Sequence, residues 1–222
     1  MLENPVWAAL TGPQACFAEA AGDAAAYSSD ISPFCAMADL ADPAGWRDLA
    51  KLTDEALLTG PSITPPPGWS EVVRMSGVQM VGHGMTGADD PAAVALTETD
   101  VPEILDLVQR AQPGPFRRRT IELGRYLGIR HEGRLIAMAG ERLRLPGWTE
   151  VSAVCTDPDF RGRGLGARLT LAVAARILER GDLPFLHTTA DNAGAIRLYE
   201  RLGFQTHHEV VFASYRHTAP AS

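Results

Sequence analysis

The fold is decided by one stretch of the chain, residues 154–166, which reads VCTDPDFRGRGLG. It has the pattern of a strand end, a short loop and a helix start, with Gly162, Gly164 and Gly166 at the junction. The first amides of a helix have no intrahelical acceptor and carry the positive end of its dipole. Glycine lets the main chain approach a ligand closely. The stretch therefore predicts a cradle for a phosphate or pyrophosphate group.

Two common phosphate loops fit this stretch poorly. A P-loop needs a Gly-Lys-Ser/Thr sequence, and the stretch contains no lysine. The dinucleotide fingerprint needs Gly-x-Gly-x-x-Gly directly after a strand, whereas Gly162, Gly164 and Gly166 follow an insert in a Gly-x-Gly-x-Gly spacing. A nucleotide-binding oxidoreductase is therefore disfavoured. From the loop alone, a glycine-rich turn without a ligand remains an alternative.

The sequence on both sides of the loop predicts a mixed α/β domain. Periodicity and turn residues predict helices at residues 100–112, 164–180 and 191–202. Strands are predicted at residues 93–96, 126–130, 135–143, 149–156, 185–189 and 208–215. The strand–helix–strand order around the loop is that of a parallel crossover unit.

The first 92 residues differ in character from the rest. Their only cations are Arg47, Lys51 and Arg74, so this part is strongly acidic. Two short strands are predicted at residues 71–75 and 78–81, with a turn at residues 76–77 and a linker at residues 82–91. We therefore divide the chain into an acidic region at 1–92, a main domain at 93–216 and a tail at 217–222.

Composition excludes several classes of protein. The net charge of −7 argues against a general nucleic-acid binder. No run approaches the roughly 18 apolar residues of a membrane span, and the N-terminus has no secretory pattern. Cys16, Cys35 and Cys155 offer no disulfide framework, which favours a cytoplasmic location. The histidines lack metal-ligand spacing, so we predict no metal.

Two motifs resemble those of the GNAT superfamily of N-acetyltransferases. Residues 161–166, RGRGLG, match its Arg/Gln-x-x-Gly-x-Gly/Ala signature. Residues 191–204, DNAGAIRLYERLGF, are similar to its Asn-x-x-Ala-x-x-Leu-Tyr-x-x-x-Gly-Phe helix. Residues 149–156 resemble the subfamily with a glycine N-acyltransferase-like C-terminal domain. The resemblance covers residues 93–216 and implies a central, mixed but mostly antiparallel sheet flanked by helices, with residues 1–92 as a degenerate half of the same fold.

The resemblance also implies a co-substrate, acetyl-CoA, and the residues that hold it. The pyrophosphate is expected on the loop formed by Arg161, Gly162, Arg163, Gly164, Leu165 and Gly166. The family's motif strand diverges from the next one, so main-chain groups of Val154, Cys155 and Thr156 are expected to hold the pantetheine arm. Asn192 either binds the cofactor or caps its helix. Tyr199 is expected to protonate the departing thiolate, because a phenol with a pKa near 10 suits a thiol leaving group.

The residues that handle the acceptor are less clearly indicated. Glu150 is our candidate for removing the amine proton, as a partly buried carboxylate with a raised pKa, although a solvated glutamate is equally compatible. Phe116 lies in the segment that often covers the acceptor site in the resembled family. The sequence thus predicts an acyl-CoA-dependent N-acetyltransferase, monomeric or homodimeric, whose acceptor is a small molecule, an amino acid or a protein amine. The alternative is a non-catalytic acyl-CoA sensor.

Overall fold

The chain folds into a large mixed sheet with helices on both faces and a small sheet beside it. The structure is a computed structural model that describes residues 1–218, so most of the tail predicted at 217–222 lies outside the described residues. The helices are α1 (Pro5–Leu10), α2 (Pro43–Leu49), α3 (Val101–Ala111), α4 (Leu165–Glu179) and α5 (Ala193–Arg201). The strands are β1 (Ala18–Ala21), β2 (Ala24–Tyr27), β3 (Cys35–Met37), β4 (Glu55–Gly60), β5 (Trp69–Val81), β6 (Val94–Leu96), β7 (Tyr126–His131), β8 (Arg134–Leu145), β9 (Trp148–Thr156), β10 (Leu183–Thr189) and β11 (Gln205–His217).

The large sheet has eight strands in the order β4-β11-β5-β10-β9-β8-β7-β6. Every neighbouring pair in it is antiparallel except β9 and β10, which are parallel and joined by α4. The predicted mixed, mostly antiparallel sheet with flanking helices is therefore confirmed. No helix within residues 1–218 has the length and apolar character needed to cross a membrane.

The N-terminal region contributes two strands to this sheet. β4 pairs with β11, and β5 lies between β10 and β11. The turn predicted at residues 76–77 is wrong, because β5 runs through it without a break. A Cβ on Gly77 would lie 2.5 Å from Phe212 Cε2 and 2.9 Å from the Thr188 carbonyl oxygen, so this glycine allows close packing of neighbouring strands. The division at residue 92 stays a prediction, although the sheet itself extends across it.

The two faces of the large sheet are covered by different parts of the chain. On one face, α4 buries Leu165, Leu169, Val173 and Ile177 in a cluster that also contains Tyr199 of α5. These four residues recur every four positions, which explains the helix. On the other face, α1 and the β2–β3 segment pack on Val81, Phe185 and Phe212. We call this second side the α1 face.

Candidate active site

The centre of the site is a gap between β9 and β10. The two strands pair only from Leu183 with Trp148 to Phe185 with Glu150. Beyond this pair β10 follows β5 as far as Thr189, while β9 follows β8 as far as Thr156. The divergence implied by the family resemblance is therefore present. In the part of the chain that the structure describes, main-chain groups of Val154, Cys155 and Thr156 have no strand partner on the side of β10. Their roles in binding stay predictions.

A bulge in β9 accompanies the divergence. Between the Met138–Cys155 and Gly140–Ser152 pairs, β9 carries one more residue than β8. Ala153 lies in this bulge with a φ of 54°, a left-handed conformation that a non-glycine residue adopts at a cost of roughly 1–2 kcal/mol. Bulges bend a strand and redirect its main-chain groups. Here the bulge turns β9 at the level of the gap.

The glycine loop presents uncapped amides beside this gap. Gly162 and Gly164 have φ values of 78° and 74°, which favour glycine, and a Cβ on either would meet no atom within 4 Å. Within residues 1–218, no side chain caps the N-terminus of α4, and the first turn of this helix contains no acidic residue. Among the described residues, the first N–H groups of α4 therefore have no side-chain acceptor, and the positive end of the helix dipole lies at this point. This is an arrangement suited to a phosphate anion.

The structure brings the predicted loop and strand residues together. A Cβ on Gly166 would lie 3.6 Å from Val154 Cγ1 and 3.9 Å from Thr156 Oγ1, so the start of α4 lies directly against the end of β9. Arg161 and Arg163 are exposed, and the Arg163 guanidinium stacks on the Phe160 ring at 4.7 Å. Leu165 points into the core. The site thus combines open amides, two cations and the unpaired edge of β9.

Asp157 and Asn192 fix the loop and the next helix. The Asp157 carboxylate accepts a hydrogen bond from the Asp159 amide at 3.1 Å, as expected for a residue that sets the turn. The Asn192 side chain accepts one from the Ala195 amide at 3.1 Å and so caps α5. Of the two readings of Asn192, capping is observed, whereas a contact with the cofactor stays a prediction.

Tyr199 is buried in α5 on the α4 side of the sheet. Its ring packs edge-on against Phe204 at 5.9 Å. Burial, with a smaller effect from Cys155, raises the pKa of Tyr199 to about 12. The ordinary phenol pKa expected from sequence is therefore too low. The hydroxyl stays protonated at neutral pH and remains a hydrogen-bond donor.

Glu150 differs most from its prediction. Its side chain is fully buried, and its carboxylate accepts two hydrogen bonds from Arg142, at 2.8 and 2.7 Å. Burial acts to raise the pKa of Glu150, but the charge and hydrogen bonds of Arg142, together with His187, outweigh it and lower the pKa to about 2. The expected raised pKa is wrong. At neutral pH the carboxylate is ionised and engaged, which makes it a weak base.

Sequence reasoning missed the partners of Glu150. His187 Nδ1 lies 2.7 Å from Glu150 Oε1, and its Nε2 lies 3.0 Å from the Gln79 side-chain amide nitrogen. Gln79 also donates to the Leu2 carbonyl oxygen at 2.9 Å. Arg142, Glu150, His187 and Gln79 thus form a buried row across β8, β9, β10 and β5 on the α1 face. We call it the polar row. The sequence offers one indication of the polar row, namely polar residues within otherwise apolar strands. This pattern does not specify which residues of neighbouring strands are paired.

Phe116 lies in a buried hydrophobic cluster and is not exposed at the surface of the site. Its buried ring packs edge-on against Tyr126 at 5.3 Å, beside Ile104 and Leu107 of α3. Its predicted contact with the acceptor stays a prediction. Within residues 1–218, no group of three or more His, Cys, Asp or Glu side chains is arranged to hold a metal ion.

Comparisons with known proteins agree with this geometry. The family model of FR47-like proteins matches residues 126–213. The [ribosomal protein bS18]-alanine N-acetyltransferase of Salmonella typhimurium is 35% identical over 115 residues, which cover 49% of this chain and 77% of that protein. A mycothiol acetyltransferase of Corynebacterium aurimucosum is 47% identical over 60 residues, which cover 27% of this chain but only 20% of that protein.

A solved structure matches the chain over nearly its whole length. The crystal structure of an acetyltransferase described as a GNAT-family member, from Novosphingobium aromaticivorans, is 41% identical with a TM-score of 0.91 and covers 98% of this chain and 99% of that one. Fold, site and relatives together define an acyl-CoA-dependent N-acyltransferase. Within that class, the chain belongs to the GNAT family of N-acetyltransferases.

Proposed function

We propose that this chain transfers an acetyl group from acetyl-CoA to a primary amine by direct attack, with both substrates bound at once. The observation that carries the proposal is the end of β9–β10 pairing at Glu150, next to the uncapped start of α4. A gap with unpaired main-chain groups suits an extended amide-containing arm, and open amides suit the pyrophosphate to which that arm is attached.

Each part of the site then has a role in holding acetyl-CoA. The amides around Gly162, Gly164 and Gly166 bind the pyrophosphate, and Arg161 and Arg163 neutralise phosphate charge. The main chain of Val154, Cys155 and Thr156 pairs with the pantetheine arm. An N–H group near the Ala153 bulge would stabilise the negative charge that develops on the thioester oxygen.

Tyr199 assists the departure of the thiolate. A phenol with a pKa of about 12 is a weaker acid than the thiol that leaves, so it acts mainly by donating a hydrogen bond to the developing thiolate. Removing the hydroxyl therefore slows the chemical step.

Glu150 has a positioning role, because it joins the strands on either side of it at the point where the gap begins. It forms the last pair before the strands diverge, and it binds His187 two residues beyond that pair on β10. The ion pair with Arg142 holds β8 and β9 together at the same level. Glu150 thus fixes the vertex of the gap. The His187 side chain is only 2% exposed and both of its ring nitrogens are engaged, so the amine proton goes to water.

The acceptor amine is proposed in two forms. The resemblance of residues 149–156 to glycine N-acyltransferases favours a small acceptor. The relative from Salmonella typhimurium is named for an alanine of a ribosomal protein, which favours a protein amine. The cytoplasmic location and a monomeric or homodimeric state stay predictions.

The test is thiol release from acetyl-CoA in the presence of amines, amino acids and peptides. Amine-dependent release by the wild-type chain supports the proposal. Tight acetyl-CoA binding without turnover on any acceptor supports the non-catalytic sensor. Absence of binding contradicts the assignment of the glycine loop.

A further inference from the structure

The glycine loop is anchored to the sheet through Asp157. β9 ends at Thr156, and the Asp157 amide then donates to the Ile136 carbonyl oxygen of β8 at 2.8 Å. Within residues 1–218, the side-chain hydrogen bonds that involve loop residues 158–164 are limited to one, from the Asp159 amide to the Asp157 carboxylate at 3.1 Å. Asp157 therefore determines where the loop leaves the sheet.

The carboxylate of Asp157 is buried against two arginines from other elements. Arg110, in the last turn of α3, donates from Nε to Asp157 Oδ2 at 2.9 Å. Arg134, at the start of β8, donates from Nη2 to the same oxygen at 2.7 Å. Burial acts to raise the pKa of Asp157, but the Asp159 amide and the two arginines outweigh it and hold the pKa below its ordinary value. The carboxylate is therefore ionised at neutral pH, and both of its oxygens are engaged.

Arg110 belongs to a helix on the face of the sheet opposite to α4. Consecutive residues of a strand point to opposite faces. At the end of β9, Cys155 packs in the same cluster as the buried residues of α3, whereas Val154 packs in the cluster of α4. Arg110 therefore connects a helix on one face of the sheet to the loop that begins the helix on the other face.

The Arg110 guanidinium is only partly satisfied in this position. Its Nη1 donates to Asp106, one turn earlier in α3, and its Nη2 is buried with no hydrogen-bond partner among the described residues. An unpaired buried donor on a charged group costs free energy. A hydrophobic side chain would avoid that cost, but it could not bind the ionised carboxylate of Asp157. The arginine is thus suited to holding Asp157 more than to filling space.

We propose that Arg110 is a positioning residue for acetyl-CoA, because it holds Asp157 and, through Asp157, the glycine loop in the conformation that binds the pyrophosphate. The inference rests on the proposed function and adds a residue of α3 to it. A loop that is already fixed loses little freedom when its ligand binds. The guanidinium also neutralises a carboxylate that would otherwise repel phosphate charge. Arg110 acts through Asp157 and needs no contact with the cofactor.

The first experiment compares two acetyl donors. S-acetylpantetheine carries the thioester and the pantetheine arm but no pyrophosphate, so its binding does not depend on the loop. We expect Arg110→Met to raise the KM for acetyl-CoA by about tenfold, with kcat unchanged at saturation, and to leave the KM for S-acetylpantetheine unchanged. Arg110→Lys keeps a charged donor and should recover most of the loss. An equal rise in KM for both donors, or no rise for acetyl-CoA, overturns the proposal.

The matched control is Arg130→Met. Arg130 joins β7 to the other end of α3, through Asp100 at 2.7 Å and Glu103 at 2.5 Å, and its side chain is 30% exposed against 25% for Arg110. The change removes the same charge and also breaks two ion pairs, but at a distance from the loop. We expect the ratio of the two KM values to stay as in the wild type. The same rise as in Arg110→Met would assign the effect to a loosened α3 and overturn the proposal.

The second experiment distinguishes positioning from contact. Asp157→Asn keeps an oxygen that accepts from the Asp159 amide but removes the charge that Arg110 binds. If Arg110 acts through Asp157, Arg110→Met should have little further effect on the Kd of CoA in that background, measured by isothermal titration calorimetry. A further loss of the same size would mean that Arg110 contacts the cofactor itself, and the proposal is wrong. A wild type that binds no CoA refutes the proposed function first, whereas equal binding by wild type and Arg110→Met refutes this inference alone.

Discussion

Replacement of Glu150 by glutamine separates a positioning role from a catalytic one. The change removes the carboxylate that two hydrogen bonds join to Arg142 and one joins to His187. The pKa falls from 4.5 to about 2 in the folded chain, which corresponds to about 3 kcal/mol in favour of the ionised form. Removal of one partner also leaves the Arg142 charge buried and unpaired, at a cost of about 3–5 kcal/mol. Both figures describe the same interaction and are not added, so we expect Glu150→Gln to lower the free energy of unfolding by about 3–4 kcal/mol.

The assay is urea unfolding of the wild type, Glu150→Gln, Arg142→Met and the double variant at pH 7. Because the two side chains form one pair, the double variant should be more stable than the sum of the single losses predicts. A loss below about 1 kcal/mol, or additive losses, would refute the reasoning. So would an unchanged stability with a hundredfold loss of kcat, since that result would make Glu150 the base.

Further predictions follow from the same structure. The stability difference between wild type and Glu150→Gln should be complete above pH 4.5 and should shrink as the pH falls towards 2, because a carboxyl with a depressed pKa contributes its full stability above the unfolded pKa and loses it as the pH falls to the folded pKa. Urea midpoints measured across this pH range test it, and a constant difference would contradict it. Gly164→Ala and Gly181→Ala should each lower the free energy of unfolding by about 1 kcal/mol, because both glycines have a positive φ and open surroundings at the two ends of α4. Only Gly164→Ala should also raise the KM for acetyl-CoA. An equal effect of both on KM would count against the loop assignment. Deletion of residues 1–92 should abolish cooperative unfolding, because it removes both strands that pair with β11; a folded, fully active remainder would show that the sheet does not need them.

The loop and the two helices around it could be predicted because their signals are local. The helix predicted at residues 164–180 is observed as Leu165–Glu179, and Gly162 and Gly164 lie at the predicted junction before it. Capping of α5 by Asn192 also depends on residues close in sequence. The divergence of β9 from β10 came from family resemblance and not from any property of the strands themselves.

The polar row could not be predicted because it depends on strand register. Arg142, Glu150, His187 and Gln79 come from four strands that are up to 108 residues apart in sequence. A carboxylate at a strand start gives no indication of whether its neighbour in space is a solvent molecule or an arginine. The sign of the pKa shift at Glu150 followed from that unknown partner. Gly77 was misread for a related reason, since a glycine that allows close packing has the same local signature as a turn.

The most direct test of the account is amine-dependent thiol release from acetyl-CoA by the wild type, Tyr199→Phe and Tyr126→Phe. Tyr126 is the matched control, because it is another buried tyrosine and its hydroxyl has no hydrogen-bond partner in the described structure. We expect wild-type turnover, a loss of about a hundredfold in kcat for Tyr199→Phe, and little change for Tyr126→Phe. Equal kcat in all three proteins would remove Tyr199 from the mechanism. Absence of amine-dependent release from the wild type would contradict the assignment of this chain as an active N-acetyltransferase.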